Sequence, residues 1–301
     1  MPRILFGPHG ENNSTYANAG NANLGRFELG SRLILPDGRV YRLCLNDGTA
    51  EVAGNLYQSV APVGDHTNVT ADAARSIGAV IVSATLGATS AAADIYAEGA
   101  VHTNDAAGEG YFYRIRRANT AGAAHALAAA SAILTVNLQA SETVQVALTT
   151  ASEVTFSRNR FHAALIHQSP PTAQLAGVSP GVAAADRFYW SQVGGEAAVL
   201  AEGTLLAGLP VQAGITVNGA VENAKRRVRS GTTAVTGITD SGALLTDQDG
   251  AEVNIRAIGN TVSTTYDISA GIAYNAPLVG MCIKANASSE YGLIDLTYLG
   301  N

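Results

Sequence analysis

The chain has 301 residues, a formal net charge of −6 and a hydrophobic fraction of 47%, which is ample for a folded core. The acidic balance argues against direct nucleic-acid binding, and no apolar run is long enough to predict a membrane-spanning helix. Charged residues make up only 14% of the chain, against about 25% in typical soluble domains. The surface is therefore either polar and uncharged or buried against partners, and we favour burial.

Cysteine usage indicates the compartment in which the chain folds. Cys44 and Cys282 are the only cysteines, and they stand far apart in the sequence. Two such residues make neither a disulfide framework nor a metal-binding pair. We therefore expect two buried thiols in a protein assembled in a reducing cytoplasm.

Residues 1–26 are rich in Asn, Gly and Ala and show no hydrophobic periodicity. This composition predicts an extended N-terminal arm without a core of its own. An apolar patch with one cation stands near its start: Arg3, Ile4, Leu5 and Phe6. Both a frayed terminus and an arm that clasps a partner are open. The patch favours the clasp, because a solvated tail has little use for apolar side chains.

Hairpin signals begin at residue 27 and recur through the first half of the chain. Residues 31–35 and 39–45 flank Pro36-Asp37-Gly38, where Pro pre-sets φ, Asp bonds its own backbone and Gly accepts a positive φ. Further strands are predicted at 79–84, 111–117, 133–138, 143–148, 153–156 and 163–167. The short loop 139–142 predicts that 133–138 and 143–148 pair as a hairpin.

The adjacent prolines Pro170 and Pro171 interrupt both helix and sheet, so they predict a domain boundary. We expect an N-terminal β-domain at 27–168 and a C-terminal β-domain at 172–301. Strand signals of the second half lie at 187–192, 215–221 with its Asn218-Gly219 turn, 243–245, 252–255, 278–284 and 291–298. Short strands separated by turns predict an all-β fold of two sandwich- or barrel-like domains with little helix.

The most informative stretch is the turn 104–110 and the strand that follows it. Strand alternation predicts one face in the core, formed by Tyr111, Tyr113 and Ile115. The opposite face and the strand's end carry the predicted partner contacts, namely Phe112, Arg114, Arg116 and Arg117. An aromatic ring and arginines facing away from the core are typical of a surface that meets another protein.

One dense basic run, residues 225–229, contains three arginines that we take as further candidate contacts: Arg226, Arg227 and Arg229. A solvated loop and contact with an acidic partner protein are both open for this run. Because the chain itself is acidic, an acidic protein is favoured over nucleic acid as its partner.

No pattern in the sequence predicts catalysis. Gly177–Gly181 matches the G-x-S-x-G elbow of hydrolases, but the residue after the serine is Pro180. Proline has no backbone N–H to stabilise an oxyanion at that position. The run 247–250 resembles the start of a calcium loop, yet its twelfth position is Ile258 rather than glutamate. We therefore expect a protein that is not an enzyme and that needs no cofactor or metal.

Several segments together resemble the capsid decoration, or cement, proteins of tailed bacteriophages. They are 29–32 with 36–42, 86–89 with 96–99, 104–105 with 108–111 and 113–115, 188–190, 278–280 and 289–291. The resemblance implies a β-rich and often trimeric protein that binds the outside of an icosahedral shell and stabilises it against DNA pressure. Residues 224–275 look like an insertion relative to this pattern.

The partners that this resemblance implies are the major capsid protein and further copies of the chain. The location that it implies is the capsid exterior of the virion, after assembly in the bacterial cytoplasm. The alternative is another virion component, such as a head-fibre, tail or receptor-binding protein that recognises host surface glycan.

Overall fold

The structure is a computed structural model that describes residues 4–6, 27–117, 126–224, 226–227, 245–246, 252–253, 273–274, 276–287 and 289–299. For 4–6 and the four short pairs between 226 and 274, the backbone alone is described. Within these ranges the regular structure is β-strand, apart from a 3-10 turn at Gly64–His66. The predicted all-β fold with sandwich- or barrel-like sheets and little helix is confirmed.

The described residues form 21 strands in chain order. They are Ile4–Phe6 (β1), Arg32–Ile34 (β2), Val40–Leu45 (β3), Leu56–Gln58 (β4), Val69–Thr70 (β5), Ile81–Thr85 (β6), Ala100–Asp105 (β7), Phe112–Arg114 (β8), Ile133–Asn137 (β9), Glu153–Ser157 (β10), Leu165–Ile166 (β11), Leu175–Val178 (β12), Phe188–Leu200 (β13), Pro210–Ala213 (β14), Val221–Asn223 (β15), Arg226–Arg227 (β16), Leu245–Thr246 (β17), Glu252–Val253 (β18), Ala273–Tyr274 (β19), Leu278–Lys284 (β20) and Tyr291–Leu296 (β21).

The largest sheet, called here the main sheet, has eleven strands in the order β1-β2-β3-β13-β21-β20-β14-β15, with β12, β4 and β11 branching from β13. Its long strand β13 pairs with β3 up to Gly194 and with β21 from Gly195 onward. Gly195 has φ +76°, and a Cβ there would lie 3.0 Å from the Cα of Arg39. Glycine therefore permits both the turn of the strand and the close approach of its neighbour.

The main sheet covers a core of mainly Val, Leu and Ala side chains drawn from both ends of the chain. Its largest fully buried members are Leu56, Leu205, Ile294, Leu296 and Leu299. Burying one such side chain contributes about 1.5–3 kcal/mol relative to leaving it exposed. Antiparallel sheets of this kind pack one face on a core and leave the other face to solvent.

Residues 64–157, called here the 64–157 module, form a second layer with a core of their own. Four strands pair in the order β5-β10-β7-β8, and β6 pairs with β9 in a separate ribbon. The core between them is built only from residues 69–156, including Tyr96, Tyr113 and Phe156. This module enters the chain after β4 and leaves it before β11.

The strands β2 and β3 pair across Pro36-Asp37-Gly38 as predicted, and β20 and β21 pair near the C-terminus. The strand signal at 215–221 is only partly correct: Asn218-Gly219 lies in the connection between the paired strands β14 and β15, but residues 214–220 form a loop. One predicted hairpin is wrong. The predicted hairpin of 133–138 with 143–148 is not formed. Instead β9 pairs with β6, and residues 143–148 run as a loop whose Val144 and Leu148 fill the module core. The alternation of apolar residues in this segment reflects the burial of these two side chains, and the segment does not form a strand.

The chain divides into two compact units, residues 1–224 with 276–301 and residues 225–275. The second unit nearly coincides with the segment singled out in the sequence as an insertion. In it, β16 pairs with β19, and β17 pairs with β18. Within the first unit the predicted boundary at 169–171 lies between β11 and β12. Both of these strands pair with β4, so backbone hydrogen bonds cross that point.

Candidate interaction surface

The turn before β8 is built by residues with left-handed backbone angles. Ala106, Gly108 and Gly110 have φ of 63°, 86° and 81°. The N–H of Glu109 donates to the oxygen of Ala106 at 3.1 Å, and a Cβ on Gly108 would lie 2.6 Å from Leu148. Glycine is therefore needed at 108 for both backbone angle and space. This turn connects β7 to β8, which forms the edge of the four-stranded sheet.

The predicted inward face of this strand is correct at two of its three positions. Tyr113 and Ile115 are buried in the module core, at 3% and 1% exposure. Tyr111 was expected beside them, but it is 41% exposed. Tyr111 comes one residue before β8 and lies beyond the end of the core. Its ring stacks on that of Tyr113, with centroids 6.4 Å apart. Tyr111 therefore adds an aromatic side chain to the surface.

Phe112 carries the largest apolar exposure on this strand. Its side chain is 60% exposed, on the face opposite Tyr113, as the alternation predicts. The strand β8 is the last in its sheet, so Phe112 lies at a sheet edge next to the exposed Tyr111. Phe112 and Tyr111 thus expose one aromatic ring on each face of this sheet edge, and exposed aromatic side chains are of the kind that protein contacts use.

The arginines of this strand do not all project toward solvent. The Nε of Arg117 lies 2.9 Å from Oε1 of Glu98, whose side chain is only 7% exposed. The backbone N–H of Arg114 donates to the carboxylate of Glu142, and the Arg114 guanidinium donates to the backbone oxygen of Glu98 at 3.5 Å. Arg116 is exposed. The side chains of Arg117 and Arg114 thus bind the carboxylate and the backbone carbonyl of Glu98 in their own module, a use that the sequence pattern does not reveal.

A cleft of about 190 Å³ lies beside these arginines. Its lining is Glu28, Glu98, Arg114, Ile115, Gln139, Ser141 and Glu142. Burial raises the pKa of Glu98, and the backbone N–H of Leu29 and the charge of Arg117 offset part of that rise. No group of three or more His, Cys, Asp or Glu side chains within the described ranges is placed to hold a metal ion.

A second polar cluster, found only in the structure, lies beneath β13. Glu51, Cys44 and Tyr189 are all buried, at 1%, 0% and 3% exposure. Burial raises the pKa of Glu51 to about 8 and raises the pKa values of Cys44 and Tyr189 above their ordinary values. Burial therefore favours the protonated form of all three groups.

The remaining predicted contact residues are placed by backbone or lie outside the described residues. Ile4, Leu5 and Phe6 form β1, which pairs with β2 in parallel. Arg226 and Arg227 form β16 in the second compact unit. Arg3 and Arg229 lie outside the described residues.

Exposed apolar side chains recur on the main sheet, where the sequence pattern did not single them out. Leu206 and Leu209 are 54% and 45% exposed and precede β14. The N–H of Cys282 donates to the oxygen of Leu209 at 3.0 Å, next to Ile283, which is 42% exposed. The sequence could not identify these residues, because an exposed apolar residue and a buried one look the same in the sequence pattern of a strand or loop.

Neither protein-family models nor curated proteins nor solved structures give a significant match to this chain. In the part of the chain that the structure describes, no helix has the length and apolar character needed to cross a membrane.

Proposed function

We propose that this chain is a structural protein of a tailed-phage virion that binds the outside of the icosahedral shell and stabilises it. The segments that resemble decoration proteins motivate the proposal, and the all-β fold is compatible with it. Its partners are the major capsid protein and further copies of the chain, as a homotrimer. It acts without a cofactor and not as an enzyme.

The observation that carries the proposal is the exposed aromatic edge at β8. Phe112 and Tyr111 are 60% and 41% exposed in a chain with only 14% charged residues. Burying a ring of this size contributes up to about 3 kcal/mol. Many copies arranged on a lattice multiply such modest contacts through avidity. The carboxylate of Glu98 pairs with Arg117 and the Glu51 cluster is buried, and both arrangements are compatible with a structural role.

Binding to shells tests the proposal directly. Purified protein is added to expanded shells that lack it, and occupancy is measured by electron microscopy together with genome retention on heating. We expect bound protein on the outer surface and better genome retention. Phe112→Ser should lower occupancy at least tenfold. Val182→Ser, at an equally exposed position, serves as the matched control and should not.

Two results would contradict this function. Unchanged heat resistance of fully occupied shells would remove the stabilising role. Adsorption of the purified protein to host cells, with no binding to shells, would instead favour the receptor-binding alternative.

A further inference from the structure

The pairing of β1 with β2 differs from the other strand pairings of the main sheet. It is parallel, with Ile4 opposite Arg32 and Phe6 opposite Ile34, whereas the other paired strands described in this sheet are antiparallel. It also places β1 at the end of the strand order, with β2 as its one neighbour among the strands that the structure describes. A strand held by one short ladder at an edge can be supplied from outside the sheet.

The chain between β1 and β2 is longer than the crossover of about a dozen residues that two parallel strands need. Since Phe6 lies opposite Ile34, the chain must return only from Phe6 to Arg32 on the adjacent strand, a gap of about 8 Å. The 25 residues of 7–31 provide this connection. Fully extended, such a length reaches about 80 Å. The connection therefore does not fix which copy of the chain supplies β1.

The connection between β2 and β3, the next pair of strands in the sheet, is short by comparison. The strands β2 and β3 are joined by the five residues 35–39, which form a tight turn. The N–H of Leu35 donates to the oxygen of Arg39 at 2.9 Å, which closes that turn. This hairpin can form only within one chain. The edge that receives β1 is thus complete in each copy before β1 is added.

The receiving edge is also well anchored. Leu33, in the middle of β2, is 1% exposed and packs in a cluster with Tyr41 and Trp190. The outer edge of β2 offers backbone N–H and C=O groups in register for one further strand. Backbone pairing of this kind gives affinity without needing a particular side chain from the donor.

We propose that Ile4–Phe6 of one copy pairs with β2 of a second copy when copies of the chain assemble side by side. The same ladder forms within a chain or between chains, so its energy is nearly equal in both cases. Local concentration then decides, and assembly into an oligomer raises the concentration of neighbouring edges. The inference rests on the self-association in the proposed function and is independent of shell binding.

Cysteine pairs placed in register test this directly. One chain carries Ile4→Cys and a chain with a different tag carries Arg32→Cys, and the two are expressed together. Parallel partners have Cα atoms about 4.8 Å apart, within the range that a disulfide spans. After mild oxidation of the purified oligomer, we expect a disulfide between the two tagged chains in at least a third of the molecules. Asp37→Cys, in the exposed turn after β2, replaces Arg32→Cys in the matched control and should give at least fivefold less.

The double variant Ile4→Cys/Arg32→Cys in a single chain separates the alternatives. Disulfides that form only within this chain, with none between tagged chains, would overturn the inference. A monomeric protein at all concentrations tested, or no disulfide in either arrangement, would overturn it as well. Because no shells are present, links between chains by a protein that fails to bind shells would support strand exchange and contradict shell binding.

Discussion

The buried carboxylate of Glu98 joins two parts of the fold by binding Arg117 and the backbone N–H of Leu29. Arg117 lies 2.9 Å from it within the 64–157 module, whereas Leu29 lies shortly before β2 of the main sheet. Asn159 adds to this junction, because its amide donates to the Glu98 backbone oxygen at 3.0 Å. One side chain therefore fixes the module against the main sheet.

Replacing this carboxylate should destabilise the protein more than breaking an exposed ion pair. Glu98→Ala leaves a buried N–H and a partly buried guanidinium without their acceptor, so we expect a loss of about 2 kcal/mol or more. The control is Asp37→Ala, which removes the exposed pair with Arg39 at 2.6 Å and should cost about 1 kcal/mol or less. Urea unfolding measures both. Equal losses would mean that Glu98 does not hold the junction.

Glu51 should make the protein less stable as the pH rises. Its folded-state pKa is about 8, against an ordinary value of 4.5. The folded protein therefore keeps a proton that the unfolded chain releases, and stability falls between about pH 4.5 and pH 8. Burial is the largest cause of this rise, and the hydroxyls of Tyr189 and Ser179 offset part of it.

Glu51→Gln should remove this slope, with a difference approaching about 4 kcal/mol between the two ends of the range. The measurement is the free energy of unfolding in urea at pH 5, 6.5 and 8. Glu109→Gln, at an exposed position, is the control and should leave the slope as it is. A slope that survives Glu51→Gln would assign the pH dependence to another group.

His167 should act in the opposite direction at lower pH. Burial lowers its pKa to about 4, with a partial offset by Glu202, and neither ring nitrogen has a partner among the described residues. The folded protein binds this proton less readily than the unfolded chain, so stability is lost as the pH falls from about 6.5 to 4. His167→Leu should reduce that loss, measured by thermal unfolding at pH 4.5 and 6.5. An unchanged loss would exclude His167 as its source.

A pair of glycines with the same backbone angle separates strain from crowding. Gly195 and Gly203 both have φ +76°, but only at Gly195 would a Cβ meet another atom, the Cα of Arg39 at 3.0 Å. Gly203→Ala should cost about 1 kcal/mol, from the left-handed angle alone. Gly195→Ala should cost about 1 kcal/mol more, because the backbone at Arg39, just before β3, must move. Equal costs in urea unfolding would show that the sheet absorbs the methyl group freely.

A hairpin could be predicted from the sequence where the backbone preferences of the turn residues determine the shape of the turn. Pro36-Asp37-Gly38 specifies a turn through the backbone preferences of three adjacent residues, and β2 and β3 pair across it as expected. The loop 139–142 has no comparable constraint. The partner of β9 is accordingly β6, which lies about fifty residues earlier in the chain, and such distant pairing is decided by core packing.

The interaction surface was predictable only in part, for related reasons. Strand alternation correctly gave the buried Tyr113 and the exposed Phe112. It could not show where the core ends, so it misplaced Tyr111. It also could not show that Arg117 pairs with Glu98, because that contact depends on the approach of a separate turn, the one before β7. The burial of Glu51 has the same origin, since the sequence places it just after a polar turn.

The direct pairing of Leu165 with Gln58 has a consequence for how this chain can change. The 64–157 module departs and returns at adjacent positions on the same ladder, with its own core enclosed between them. A short loop could close that gap while leaving the register of the main sheet intact, since loop closure costs grow only slowly with length. The module is thus an insertion in the topology of the main sheet, and the aromatic edge that it carries is not part of the β4–β11 ladder that holds the two ends of the insertion together.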